Sequence, residues 1–199
     1  MSHLVIGDAS QFLRHTLWLG LNSDSVTKQL VTSEQNIVMS NPAQSLAGQQ
    51  NVVRQVSWWL YQIVPNEFLR NSPDVRRRVQ ADDTTQFYPP LALDLLYLLT
   101  PSTGSDIGDQ QVLGRAMQVF HDQSILRMVS TQDPTRAEEL HVSLAPRTIS
   151  ELAEVWEAMQ QPYRLSVCYE VRVVRIDSSR QIPAGRVGDR LLSLQPRVA

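Results

Sequence analysis

Lysine is almost missing from this chain, where Lys28 stands beside seventeen arginines. Cysteine is as scarce. A single Cys168 excludes an internal disulfide framework and any cysteine-based zinc cluster, and its mid-strand setting makes it a small packed side chain. No uncharged apolar run approaches the roughly 18 residues that cross a bilayer. The N-terminus lacks a basic region followed by a long apolar core, so a cytoplasmic protein without membrane insertion is expected. Catalytic signatures are missing too: there is no GxGxxG, GK[ST], GxSxG, HExxH or EF-hand loop. His121-Asp122 and His141 have no metal-ligand spacing and read as surface residues, and the acid pairs Asp82-Asp83 and Glu138-Glu139 fall in polar loop or edge segments. No catalytic residue, cofactor or metal is expected, and the protein reads as a non-enzyme.

What is present is one domain's worth of core, 199 residues with 42% hydrophobic content. Charged residues make up 19%, below the roughly 25% of an average soluble domain, which tilts the reading towards a subunit with covered surface. The formal net charge of −2 gives no support to nucleic-acid binding. Its distribution is uneven. Residues 164–199 carry +4 and the first 163 carry −6. The arginine bias fits either an interface-rich surface or a genome rich in G and C.

Periodicity then places the elements. Asp8 and Gln11 suggest a capping box for a helix through about Leu21, with Phe12, Leu13, Thr16, Leu17 and Leu21 buried. Residues 24–33 fit helix or strand, 36–40 a strand, and Val52–Val64, with its paired Trp58 and Trp59, a core strand covered on both faces. A polar segment from Pro65 to Pro89 contains Arg76-Arg77-Arg78, flanked by Asp74, Asp82 and Asp83, and reads as a solvated or partner-facing loop. Leu91–Leu99 is nearly continuous in apolar residues and should be the most buried strand, followed by a loop from Thr100 to Gly108. Asp94 interrupts it. An unpaired buried carboxylate is costly, so Asp94 is expected in a structural pair with Arg54, Arg164 or Arg172. Val112, Leu113, Ala116, Val119 and Phe120 mark a helical face, and Leu140, Val142 and Leu144 a short strand. Thr148 and Glu151 have capping-box spacing for a helix whose apolar side is Ile149, Leu152, Val155, Trp156 and Met159. From Tyr163 the period becomes two, with Tyr163, Leu165, Val167, Tyr169, Val171 and Val173 on one face. Through Asp177 that strand would run roughly 45 Å.

Several of these blocks, in this order, carry a family resemblance: Leu60-Tyr61-x-Ile63 with Asn66-x-x-Leu69-Arg70-Asn71, Pro89-Pro90-Leu91-x-Leu93-Asp94-Leu95, Leu113-Gly114-Arg115-Ala116-Met117-Gln118, and Pro162-Tyr163-Arg164-Leu165-Ser166 with Tyr169-Glu170-Val171-Arg172. From about Asp8 to Ser178 the chain resembles the cap, or tail-terminator, proteins of phage-tail-like contractile injection systems, in particular the N-terminal domain of the antifeeding-prophage and virulence-cassette cap protein. The resemblance implies a structural protein forming a hexameric ring. That ring would close the distal end of the inner tube and contact the last sheath layer, with a second cap paralogue as a possible partner. The alternative is a non-enzymatic adaptor or baseplate-associated component of the same kind of machine.

The expected fold is α+β, a mixed and mostly antiparallel sheet with a few flanking helices. Residues 1–178 would form a tail-terminator-like domain, and 179–199 a C-terminal basic arm or edge strand. Contacts with neighbouring subunits, tube or sheath are expected at Arg70, Arg76, Arg77, Arg78, Arg164, Glu170, Arg172, Arg175, Arg186 and Arg190.

Overall fold

A strand as apolar as Leu91–Ser102 must be covered on both faces, and it forms the centre of the molecule as β5, buried from position 92 through 101. On either side lie β2 (Gln55–Pro65) and β8 (Val167–Ile176), both antiparallel to it. Together with β1 (Ile37–Val38), β7 (Ala137–Leu144) and β6 (Ile125–Val129) they make a six-stranded sheet in the order β1-β2-β5-β8-β7-β6, of which only the β1–β2 pair is parallel. The computed structural model describes residues 3–43, 54–69, 76–80, 83–129 and 137–182, excepting the side chains of 76–80, 83–86 and 181–182.

Two helices cover one face. In α1 (Val5–Asn22) the buried residues Val5, Ala9, Leu13, Leu17 and Leu21 recur every fourth position, and α3 (Asp106–Asp122) contributes Val112, Leu113, Ala116 and Phe120. They pack on Leu93, Leu95, Tyr97 and Leu99 of β5 and on Tyr169 and Val171 of β8. Trp58 sits in the middle of this core, stacked on Tyr97 (4.8 Å between ring centroids) and Phe120 (5.3 Å). Short α2 (Thr27–Leu30) follows α1. On the other face, α4 (Ile149–Ala158) sets Leu152 and Trp156 against Leu98 and Cys168, with Trp59 and Tyr61 at the margin. The protein is therefore mixed α+β, with a mostly antiparallel sheet and four helices among the described residues.

Where α1 crosses α3 the backbones come close. A Cβ added at Gly20 would lie 2.2 Å from Val119 Cγ2. Arg115 of α3 donates from Nε to the Gly20 carbonyl (3.1 Å) and from Nη2 to Ser23 Oγ (2.9 Å). It thereby supplies the cation that the last turn of α1 lacks.

Several expectations change. Strand β8 begins at Val167 and has ten residues, about 33 Å, because its ladder to β5 ends at Leu99 opposite Val167 and its ladder to β7 at Leu144 opposite Tyr169. Beyond those pairs Tyr163 and Leu165 have no neighbouring strand among the described residues and are 46% and 47% exposed. A bulge also flips the phase of β8. Leu93 pairs with Val174 and Leu95 with Val171, so Arg172 and Val173 together face Asp94. Val174 is buried in place of the expected Val173. Helix α1 starts one turn before Asp8, at Val5, with Leu4 as an N-cap lacking a side-chain bond, since the apolar series reaches back that far. The central strand runs through Pro101, which is tolerated because β8 pairing has already ended there. Glu138 and Glu139 lie within β7 rather than a loop, and β6 had no expectation at all.

A second, three-stranded sheet occupies the segment read as a polar loop. Arg76, Arg77 and Arg78 belong to β3 (Arg76–Gln80), which forms a hairpin with β4 (Asp83–Phe87), to which β9 (Gln181–Ile182) adds. Strands built of polar residues on both sides show no period-two apolar signal.

Candidate functional site

The face carrying α4 is only partly covered. Strand β6 buries Leu126 and Met128 in the core and turns Ile125 (59% exposed), Arg127 and Val129 (52%) the other way. On β7 the same face shows Glu139, His141 and Ser143, all exposed. Register aligns these positions into rows. Ile125 pairs with His141 and His141 with Arg172, while Arg127 lies opposite Glu139 and Ser143 opposite Glu170. The result is a bare sheet surface of two apolar side chains among charged ones, ending at the sheet edge formed by β6.

At the inner margin of this surface the bulge in β8 directs Arg172 back over β5. Asp94 is 7% exposed. Both its oxygens accept from Asn66 Nδ2 (3.0 Å each), and Arg172 Nε lies 3.6 Å from Oδ2. The same guanidinium donates from Nη2 to Glu170 (2.8 Å) and stays half-exposed. Low dielectric strengthens such a network and makes an unpaired member expensive. Asn66 is locked from its other side, because its Oδ1 accepts from the Phe68 and Leu69 amides (3.1 and 3.0 Å). Of the three arginines considered for Asp94, Arg172 reaches it, Arg164 approaches Asp109 (4.0 Å) and Arg54 donates to the Gln29 carbonyl (2.9 Å). Sequence reasoning missed Asn66. Its signal was an asparagine directly after Pro65 at a strand end, where the side chain commonly holds the next backbone amides.

The remaining expected contact residues are scattered. Arg164 stands at the start of α3, where Asp109 also accepts from the Thr103 amide (2.7 Å) and hydroxyl (2.8 Å). Arg175 is half-buried opposite Ala92, on the far side of the bulge. Arg76, Arg77 and Arg78 are placed by backbone only, and Arg70, Arg186 and Arg190 lie outside the described residues. Among those whose side chains are described, Glu170, Arg172 and Asp94 are brought together.

Burial shifts the tyrosines and the cysteine packed around the sheet upward. Burial pushes Tyr61 up to about 12, with the Cys168 thiol and Arg147 beside it, and burial likewise raises Cys168 itself. A thiol so placed is a packing group rather than a nucleophile. Tyr97 is also pushed up to about 12 by burial, opposed by its 2.8 Å hydrogen bond with Ser10. Among the described residues no three His, Cys, Asp or Glu side chains converge as metal ligands, and no helix is long and apolar enough to cross a membrane. The arrangement suits recognition of a protein surface, with an apolar centre, a charged rim and an arginine pre-positioned by its neighbours.

Comparison with a solved structure shows a similar fold. The sheath/tube terminator, in its extended state, of the extracellular contractile injection system PVC aligns with a TM-score of 0.59 at 17% identity, covering 91% of this chain. This chain spans 64% of that protein's length. The tube-terminating cap of the anti-feeding prophage aligns with a TM-score of 0.48 at 18% identity over 87% of this chain and 59% of that one. No curated protein sequence matches. A family model, the Pvc16 N-terminal domain, matches residues 8–189, and with that extent of agreement the chain belongs to the Pvc16 N-terminal domain family.

Proposed function

We propose that this protein caps the tube of a contractile injection particle. In this reading it is a structural component with no catalytic role, and several copies form a closed ring, expected to be a hexamer, on the distal end of the inner tube and against the last sheath layer. The observation that supports it most is the likeness of fold to a sheath/tube terminator across 91% of the chain. A terminator must match the symmetry of the tube, bind its last ring, and offer no copy of that ring's surface for further growth. A partly bare sheet face meets the second need. Ile125 and Val129 would be the apolar centre of the contact, and Glu170 and Arg172 part of its charged rim. Arg175 and the arginines of β3 are further contact positions. Arg70 and the basic segment with Arg186 and Arg190 are proposed to reach a neighbour, sheath or a second cap paralogue.

The test is deletion of the gene in a host that assembles the particle, followed by electron microscopy of the tubes. Loss of the cap is expected to give tubes of uncontrolled length, restored by the wild-type chain and restored poorly by Ile125→Glu with Val129→Glu. Tubes of normal length after deletion refute capping and point to an adaptor or baseplate-associated component. A strictly monomeric protein that also fails to bind purified tube refutes the ring.

A further inference from the structure

The C-terminal end of α4 opens into a cleft of about 420 Å³, lined by Ala153, Trp156, Glu157, Gln160, Gln161 and Tyr163. Its shape follows from how the helix stops. The Met159 and Gln161 amides both donate to the Trp156 carbonyl (3.1 and 3.2 Å), and Gln160 takes a left-handed φ of 55° and donates to the Glu157 carbonyl (2.8 Å). The chain then doubles back and sets Tyr163 edge-on to Trp156, 6.5 Å between centroids and 73° between planes. Trp156 Nε1 is used by Ser166 (3.3 Å). What remains open is the half-exposed Tyr163 ring with a carboxylate and two side-chain amides around it.

Glu157 is the charged residue lining the cleft, and neighbouring Arg164 is turned towards Asp109 (4.0 Å). The last turn of α4 contains no basic residue, so the partial negative charge of the helix terminus is uncompensated. Arg147 engages Glu151 (3.2 Å), whereas exposed Glu154 and Glu157 have no ion pair among the described residues. A flat aromatic ring, a carboxylate and amide oxygens together fit a planar guanidinium, which stacks and donates in several directions, better than an ammonium.

We infer that this cleft holds an arginine of the segment 183–199 of this chain. That segment has Arg186, Arg190 and Arg197 against one acid, Asp189. Just before it, the Arg180 guanidinium already lies 4.5 Å over the Tyr88 ring, the same kind of contact. Length permits it. The cleft and β9 lie near opposite ends of β8, about 33 Å apart at 3.3 Å per residue. Arg197, fifteen residues beyond Ile182, can lie up to about 50 Å from β9 and so reaches the cleft of the same copy, whereas Arg186 and Arg190, about 13 and 26 Å out at full extension, fall short of it. The inference does not depend on the capping role.

The experiment places a photo-activatable residue beside the cleft in the full-length chain, Ala158→p-benzoylphenylalanine, and identifies the cross-linked peptide by mass spectrometry. Cross-linking to a peptide from 183–199 is expected, and the mass of the product tells whether one copy or two are joined. Glu157→Lys, an exposed position, should lower the yield about fivefold. Replacing Arg186, Arg190 and Arg197 by Gln should do the same, with Lys replacements in between. Circular dichroism checks that each variant is folded. Cross-links only to other segments, no cross-link, or yields unchanged by Glu157→Lys and by the Gln replacements overturn the inference.

Discussion

Gly20→Ala tests the packing of the two-helix layer that backs the sheet. The new Cβ would lie 2.2 Å from Val119 Cγ2, 2.8 Å from Cγ1 and 3.1 Å from Cβ. Val119 is buried and β-branched, so in a helix it has essentially one χ1 rotamer and cannot swing aside. The helices must separate by about 1 Å or more, which strains a dense interface at a cost of roughly 1–3 kcal/mol and lengthens the Arg115 bond to the Gly20 carbonyl. Against this, alanine gains up to about 1 kcal/mol of helix propensity. The expected net is destabilisation of about 1–2 kcal/mol, a fall in Tm of about 2–8 °C for a chain of this size. Gly7 in α1 and Gly114 in α3 supply internal controls, because an added Cβ meets nothing within 4 Å at either. Their alanine variants should be stabilised by about 0.5–1 kcal/mol. Urea denaturation followed by circular dichroism measures all three. If Gly20→Ala shifts the midpoint upward like the other two, the close approach of α1 and α3 is wrong.

Asp94→Ala should cost about 2–4 kcal/mol, because it strands Asn66 Nδ2 and the Arg172 guanidinium beside a buried site, and a denaturation midpoint within error of wild type would show that the network contributes nothing. The capping box of α4 carries a pH dependence. Glu151 is held below its ordinary value by hydrogen bonds from the Thr148 amide and hydroxyl and from Arg147. Its contribution is complete above the ordinary glutamate range and is lost as pH falls through the lowered folded-state value, so Glu151→Gln should show a smaller loss of Tm between pH 6 and pH 3 than wild type, by differential scanning fluorimetry. Two buried tyrosines should behave oppositely. Tyr97 hydroxyl hydrogen-bonds Ser10 (2.8 Å), so Tyr97→Phe costs about 1 kcal/mol, whereas the buried Tyr169 hydroxyl has no hydrogen-bond partner among the described residues and Tyr169→Phe is neutral or stabilising.

Helices and strands with one apolar face were legible from residue type alone. The capping box at Thr148 and Glu151 forms as its spacing requires, with both reciprocal bonds present. The run from Leu91 could only be a covered strand, and it is the middle of the sheet. The start of α1 was misread because a local signal at Asp8 competed with an apolar series reaching back to Val5, and burial decided. The β3–β4 hairpin was invisible for the opposite reason, since strands such as Arg76–Gln80 and Asp83–Phe87 are mostly polar and take their conformation from mutual pairing. The phase of β8 was right up to Val171 and wrong after it, because one extra residue opposite Asp94 exchanges its faces.

Sequence by itself determined which segments are apolar on one side, that Asp94 requires a partner, and, through the order of its blocks, a resemblance to terminators of contractile injection systems. These follow from chemistry carried by each segment alone. Tertiary structure decided where β8 starts, that Asn66 joins Arg172 at Asp94, and that among the described residues α4 packs on Leu98 and Cys168 while the β6–β7 side of the same face is exposed. Each of those depends on which strand lies alongside, and strand neighbours are chosen by packing between segments far apart in the chain.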